Sequence, residues 1–153
     1  MALLTDKQVG ININIMKGGC EYRWHYDRNA LTAILYLNEV AGGATEIHPN
    51  YRLCLKGQQH SKLQRVLDAL LQLNFIRCLF SRKQSVVPRP GRLVIMRGDR
   101  CLHSVSSVEG EQERINLILA YDHPGADFPV AKCLNSYVYT QDAAGAQDPN
   151  YLG

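Results

Sequence analysis

A mainly β sandwich of the jelly-roll kind, interrupted by helices, is the fold class this sequence predicts. Three observations predict it. Short segments with apolar residues in strand-like patterns recur along the chain, separated by Gly, Pro and Asn turns. One stretch, at about 51–85, breaks that rhythm with a helical period. Chemistry-bearing residues stand on strands far apart in sequence, and a jelly roll brings such strands side by side.

The elements follow in order. Residues 9–16, VGININIM, alternate strictly: Ile11, Ile13 and Ile15 share one face, Asn12 and Asn14 the other. This reads as a half-buried strand. Lys17 to Cys20 is a turn. Residues 22–27 form a second short strand, and alternation sets Tyr22 with Trp24, away from His25. Residues 31–38, LTAILYLN, are apolar nearly throughout and so buried on both sides. Gly42-Gly43 is a tight turn, and residues 44–47 are a fourth strand. The pairs Gly18-Gly19 and Gly42-Gly43 are turn formers and not phosphate cradles, because no helix start follows either.

In the 51–85 stretch, Leu63, Val66, Leu67, Leu70 and Leu71 form a stripe at helical spacing. Arg52, Lys56, Lys62, Arg65, Arg77, Arg82 and Lys83 stand there against only Asp68. We read a basic helical insertion covering the core, with a lid over an anionic substrate or a partner surface as the alternatives. Strands return after Pro88–Gly91: residues 92–97, 101–106 and 113–121, with a short one at Ser136–Thr140 and a loose tail beyond. Residues 1–153 are expected to be a single domain.

Composition narrows the class. Apolar residues are 46%, charged residues 20%, and the net charge is +3, as in a soluble globular protein. That mild charge does not call for nucleic acid, and no run of about 18 apolar residues predicts a membrane span. The first ten residues do not read as a signal peptide. Cys20, Cys54, Cys78, Cys101 and Cys133 include no CxxC, so reduced thiols in a cytoplasmic protein are expected.

The residues that carry chemistry are His25, Asp27, His103 and Arg114. Two residues apart on a strand, His25 and Asp27 share a face. With His103 they would offer a cation two imidazoles and one carboxylate on one side. That facial set leaves positions open and marks non-haem Fe(II) oxygenases. Arg114, eleven residues beyond His103, stands a strand's length past it and could clamp a co-substrate carboxylate. Trp24 is read as packing. His48, beside Pro49, is read as a loop residue and not a ligand.

Four stretches, GGCEYRWHYD (18–27), LTAILYLNE (31–39), GGATEI (42–47) and PRPGRLVIMRGDRCLHSVSSVEGEQERINLILAY (88–121), carry a resemblance. HxD, GGxT, PxxG with an apolar strand, then His and Arg, in that order, resemble the 2-oxoglutarate and Fe(II)-dependent oxygenase superfamily, in its prolyl-4-hydroxylase-like branch. The resemblance implies a double-stranded β-helix, iron held by His25, Asp27 and His103, and a salt bridge from Arg114 to the distal carboxylate of 2-oxoglutarate. It implies hydroxylation of a C–H bond with decarboxylation of 2-oxoglutarate to succinate, ascorbate serving as reductant. Such relatives often have a tyrosine where Met16 stands, so Tyr36 or Asn14 is expected to take over its co-substrate contact, with Asn116 a further contact. Relatives usually carry elements ahead of the first core strand, so an N-terminally truncated or partner-completed version is expected.

Two rival readings stand beside this one: a cupin-like metalloprotein that does not use 2-oxoglutarate, and a jelly-roll binding module whose site has decayed. The expected partner is a small-molecule or peptidyl substrate. The basic insertion favours an anionic one. Exposed edge strands favour self-association into a homo-oligomer.

Overall fold

A computed structural model describes residues 1–4, 10–27, 29–55, 61–80, 82–124 and 151–152. The strands are β1 (Ala2–Leu3), β2 (Ile11–Met16), β3 (Glu21–His25), β4 (Leu31–Tyr36), β5 (Ala41–Gly42) and β6 (Thr45–His48), followed by helices α1 (Lys62–Leu71) and α2 (Asn74–Phe80). Then come β7 (Gln84–Val86), β8 (Leu93–Met96), β9 (Leu102–Val105), β10 (Val108–Glu109), β11 (Arg114–Asp122) and β12 (Tyr151–Leu152). The expected Ser136–Thr140 strand and Cys133 lie outside the described residues. Cys20, Cys54, Cys78 and Cys101 are free thiols.

Among the described residues, two five-stranded sheets carry the architecture. One runs β1-β11-β4-β8, with β2 also on β11; the other runs β12-β3-β9-β6-β7. Every pairing is antiparallel. Strand β9 lies between β3 and β6, which sets His103 opposite both His25 and Ile47. Strand β11 lies between β2 and β4, which sets Asn116 opposite both Asn14 and Tyr36. A short β5–β10 pair forms a third sheet. This is the jelly-roll arrangement that the strand pattern predicts. The loose-tail expectation fails at one point, because Tyr151 and Leu152 pair with Tyr22 and Glu21 on the edge of β3.

Two apolar clusters hold the sheets: Ile34, Tyr36, Ile47, Met96 and Cys101, and separately Met16, Cys20, Val40 and Val108. Each large apolar side chain buried there contributes roughly 1.5–3 kcal/mol before entropy is counted. Strand β4 is buried on both sides at Thr32, Ala33 and Ile34, as its apolar run predicts. Strand β2 is not what its alternation suggests. Ile11, Ile13 and Ile15 are exposed, and the asparagines between them turn inward. Those isoleucines align across β11 with Leu119, Leu117 and Ile115, giving the first sheet an apolar outer face that Leu93 and Ile95 of β8 continue.

Helices α1 and α2 lie within the 51–85 stretch, but the apolar stripe is split: Leu63, Val66 and Leu70 are exposed, while Leu67 and Leu71 are half-buried on the side where Gln64 is fully buried. The reason is local polar demand. Gln64 donates to the Leu53 carbonyl at 2.9 Å and to Asp68 Oδ1 at 2.8 Å, and accepts from the Leu55 amide at 2.8 Å. It satisfies loop backbone groups that no described strand pairs. Ser61 caps α1 by accepting from the Gln64 amide. Arg52 grips Asp68 through Nε and Nη2, tying the loop to the helix. No described helix is long and apolar enough to cross a membrane.

Candidate active site

Strand β3 carries an irregularity that builds the site. Tyr22 pairs with Val105 and His25 with His103, so three steps on β3 match two on β9. That extra residue is a β-bulge, and it re-aims the side chains around it. Tyr22 therefore shares the interior with His25, their rings 6.1 Å apart, instead of pointing away with Trp24 as alternation predicts. Trp24 points to the outside of the sheet, where the Arg77 guanidinium lies 4.2 Å from its ring centroid and His48 packs at 5.0 Å. The packing role read for Trp24 fits that position. His48 is the buried last residue of β6 and not a loop residue, and it stands apart from the candidate ligand group.

His25, Asp27 and His103 converge. Their donor atoms all lie within 4.8 Å of one another. Asp27 Oδ1 is 3.4 Å from His103 Nε2 and 3.7 Å from His25 Nε2. Each imidazole is locked from behind. His25 Nδ1 donates to the Arg23 carbonyl at 2.7 Å, and His103 Nδ1 donates to the Cys101 carbonyl at 3.0 Å. A carbonyl only accepts, so Nδ1 carries a proton in both rings, and in the neutral form the Nε2 lone pair of each faces the carboxylate. This is the donor chemistry a divalent cation with borderline preferences takes. His103 is buried, whereas His25 and Asp27 keep partial exposure, so the group opens on one side.

Electrostatics prepare the same set. Burial, and then the neighbouring His103, lower the His25 pKa to about 4, against the pull of Asp27. It is therefore neutral and free to ligate near pH 7. Burial also acts to lower His103, but the Asp27 carboxylate and the Cys101 carbonyl outweigh it and raise its pKa. Burial would raise Asp27; His103, His25 and the Thr32 hydroxyl overcome it and hold the carboxyl well below its usual range.

Arg114, the first residue of β11, is almost wholly buried. Its Nε donates to the Gly43 carbonyl at 2.8 Å and Nη2 to Thr45 Oγ1 at 3.1 Å. Nη1 donates to Asn116 Oδ1 and meets Met16 Sδ at 3.4 Å. The Tyr36 ring lies 5.2 Å from the guanidinium carbon, and its hydroxyl donates to Thr45 Oγ1 at 2.5 Å. Among the described residues no carboxylate pairs with Arg114. A cation caged by neutral acceptors is an electrostatic demand for an anion. Gly43 makes the cage reachable: its φ is +58°, and a Cβ there would stand 2.8 Å from Arg114 Cδ. The Gly42-Gly43 pair is thus more than a turn former.

Tyr36 and Asn116 sit within this cage; Asn14 does not touch it directly. Asn14 donates to the Tyr22 hydroxyl at 3.2 Å and pairs through its backbone with Asn116. His25, Tyr22 and Asn14 form one line of side-chain contacts and Asn116 and Arg114 another, and the β2–β11 backbone register sets Asn14 opposite Asn116. Sequence reasoning missed Thr45, although it lies within the GGAT motif. It also missed Tyr22, hidden by the bulge, and Thr32, whose hydroxyl donates to Asp27 Oδ2 at 2.5 Å.

Residues 11–121 match the family model described as the 2OG-Fe(II) oxygenase superfamily. No curated protein matches the chain by sequence. Solved structures similar to it include the 2-oxoglutarate-dependent carbocyclase SnoK of nogalamycin biosynthesis, with TM-score 0.53 and 16% identity over 72% of this chain and 48% of that one. PvcB, an Fe, α-ketoglutarate-dependent oxygenase of an isonitrile pathway, matches with TM-score 0.53 and 10% identity over 80% of this chain and 67% of its own. A Pseudomonas putida prolyl-4-hydroxylase matches with TM-score 0.49 and 20% identity over 74% of this chain and 52% of its own. The chain spans about half the length of the first of these solved structures and of the prolyl-4-hydroxylase. At such identities the likeness concerns the fold.

Proposed function

We propose a function that proceeds from one fact: this chain belongs to the 2OG-Fe(II) oxygenase superfamily. It acts as an Fe(II)- and 2-oxoglutarate-dependent dioxygenase that hydroxylates a C–H bond of a small molecule or an amino-acid side chain. The observation that carries the reading is the pairing of a His25–Asp27–His103 donor group with a buried Arg114 whose described partners are all neutral.

The residues fit the two groups that the superfamily's name implies. His25 Nε2, His103 Nε2 and Asp27 Oδ1 would hold the iron, since these atoms already face one another and two of them have their tautomer set from behind. Arg114 would bind the far carboxylate of 2-oxoglutarate in place of the neutral acceptors it holds now. Tyr36 and Thr45 would add hydroxyl donors there. When bound, the metal and 2-oxoglutarate supply oxygen-dependent oxidation of a C–H bond coupled to release of succinate and carbon dioxide.

The protein's part is position and dryness. The β9 register fixes His103 against His25, and the β11–β2 register sets Arg114 opposite Met16. Met16, Val108 and Val40 wall the inner end with apolar surface, which strengthens any ion pair formed there. A cupin-like metal protein without 2-oxoglutarate gives no reason to bury Arg114 among neutral acceptors, and a decayed module gives no reason to keep both imidazoles locked. Anaerobic calorimetry with Fe(II) and then 2-oxoglutarate, followed by Fe(II)-dependent succinate release in air, tests the proposal. Binding of both and succinate formation are expected. Protein that binds metal but ignores 2-oxoglutarate would move the reading to the cupin-like alternative.

A further inference from the structure

We propose that Thr32, held by Asn29 and made possible by Gly98, is a positioning residue that makes Asp27 a one-oxygen ligand. The inference rests on the metal-site reading above and deepens it. Asp27 follows the end of β3 and has no strand pairing of its own; its amide donates to the Gly98 carbonyl at 3.0 Å. Something else must decide which carboxylate oxygen faces the imidazoles.

Thr32 does so from the neighbouring sheet. Its hydroxyl has a single proton, and a carboxylate is acceptor-only, so the 2.5 Å contact to Asp27 Oδ2 is a donation from Thr32. Asn29 removes the hydroxyl's alternatives. Asn29 Nδ2 donates to Thr32 Oγ1 at 2.8 Å and to the Leu31 carbonyl at 2.7 Å, and both Asn29 and Thr32 are buried. With one lone pair taken by Asn29, the Thr32 proton is directed at Oδ2. That leaves Oδ1 as the oxygen turned toward both Nε2 atoms. The second oxygen is thereby occupied and kept off the cation, which preserves an open position for other ligands.

Gly98 explains why three polar groups can crowd there. A Cβ at Gly98 would stand 2.7 Å from Thr32 Oγ1 and 2.8 Å from both the Asn29 carbonyl oxygen and Asp27 Cβ. Its backbone is not in the left-handed region, so the constraint is space alone. Any side chain would push Thr32 and Asp27 apart.

The test titrates Co(II), a spectroscopic stand-in for Fe(II), into the full chain and into Thr32→Val, Thr32→Ser, Gly98→Ala and His103→Ala. Thr32→Val and Gly98→Ala are expected to weaken binding about 10- to 100-fold, the usual effect of removing a group that orients a metal ligand. Thr32→Ser is expected to stay within about threefold, because it keeps the hydroxyl. The visible bands of bound Co(II), which follow coordination number, are expected to change in Thr32→Val as both carboxylate oxygens reach the metal, and to be retained in Thr32→Ser. A merely structural threonine would shift the melting temperature of the metal-free protein but not these bands. If the parent chain and His103→Ala bind Co(II) alike, the metal-site reading itself fails. If the parent binds, His103→Ala does not, and Thr32→Val matches the parent in affinity and spectrum, the role of Thr32 alone is overturned. Should Thr32→Val not fold, Gly98→Ala against Thr32→Ser decides the question by the same two readouts.

Discussion

Replacing Arg114 by lysine is the perturbation that separates charge from geometry in the proposed co-substrate cage. Lysine keeps a positive charge but loses the planar fork that matches a carboxylate in two parallel hydrogen bonds. Charge-assisted hydrogen bonds are worth roughly 1.5–3 kcal/mol each net of water. Losing one of the two and retaining the other therefore weakens 2-oxoglutarate binding by about one to two decades, at about 1.4 kcal/mol per decade. Arg114→Ala loses both, but it also strands the Gly43 carbonyl, Asn116 Oδ1 and Thr45 Oγ1 without their donor. Each buried orphan costs about 1–3 kcal/mol, so the alanine variant is expected to lose stability as well as affinity. Lysine is the cleaner probe, since its ammonium can still donate inside the cage.

The assay is calorimetric titration of 2-oxoglutarate into anaerobic protein loaded with Mn(II), which binds without turnover. Melting curves of the same samples correct for unfolded protein. Metal affinity should be unchanged, because Arg114 touches no candidate ligand. A lysine variant whose co-substrate Kd lies within twofold of the parent would refute the clamp. It would also leave the buried guanidinium without a function in this reading.

Three further outcomes are expected. Metal affinity should fall tenfold per pH unit below the raised His103 pKa, one proton competing for Nε2, and steepen to two protons only below about 4, where His25 charges; Co(II) titrations at pH 7.5, 6.5 and 5.5 check it, and equal affinities would remove His103 from the ligand set. In metal-free protein the signs differ: His103 contributes stability that is full below pH 6.5 and is lost as pH rises through its raised pKa, whereas His25 favours the fold above pH 6.5 and loses that as pH falls toward about 4. Gly43→Ala should cost about 1–2 kcal/mol in left-handed strain, a fall of about 2–4 °C per kcal/mol in a thermal melt, and should weaken 2-oxoglutarate through the collision with Arg114 Cδ. Gln64→Leu strands the Leu53 carbonyl and the Leu55 amide, so hydrogen exchange should speed up over residues 52–55 and 61–72 while metal affinity holds; slow exchange there would show that the helical insertion does not depend on that side chain.

The parts of this molecule that could be read from the sequence are those fixed by short-range geometry. His25 and Asp27 meet as their spacing predicts, although β3 ends at His25 and Asp27 is aimed by Gly98 and Thr32, and His103 opposes His25 because antiparallel neighbours meet in register. The Gly42-Gly43 turn and the apolar run of β4 follow from backbone freedom and continuous burial. What escaped the reading depends on partners distant in sequence or on a register shift. Nothing local announces that β3 gains a residue between Tyr22 and His25, so Tyr22 is assigned to the wrong face. Thr32 looks like any β-branched strand residue until Asn29, Asp27 and Gly98 are brought around it.

The polar residues on the inward sides of β2 and α1 have one cause. Binary patterning assumes that the side turned inward is dry and apolar. On β2 the inward side looks into the barrel, where Asn14 meets Tyr22, so asparagines belong there and the isoleucines are left outside. On α1 the inward side meets an unpaired loop at Leu53 and Leu55, so a glutamine with a donor and an acceptor outcompetes leucine. An unmet backbone group costs about as much as a buried methyl cluster gains. Polar residues at period-matched positions between apolar ones are thus themselves a signal, pointing to an interior that has something to bind. In this chain the same logic singles out Asn12, Asn14 and Asn116, three asparagines on adjacent strands of a sheet whose other face is almost entirely aliphatic.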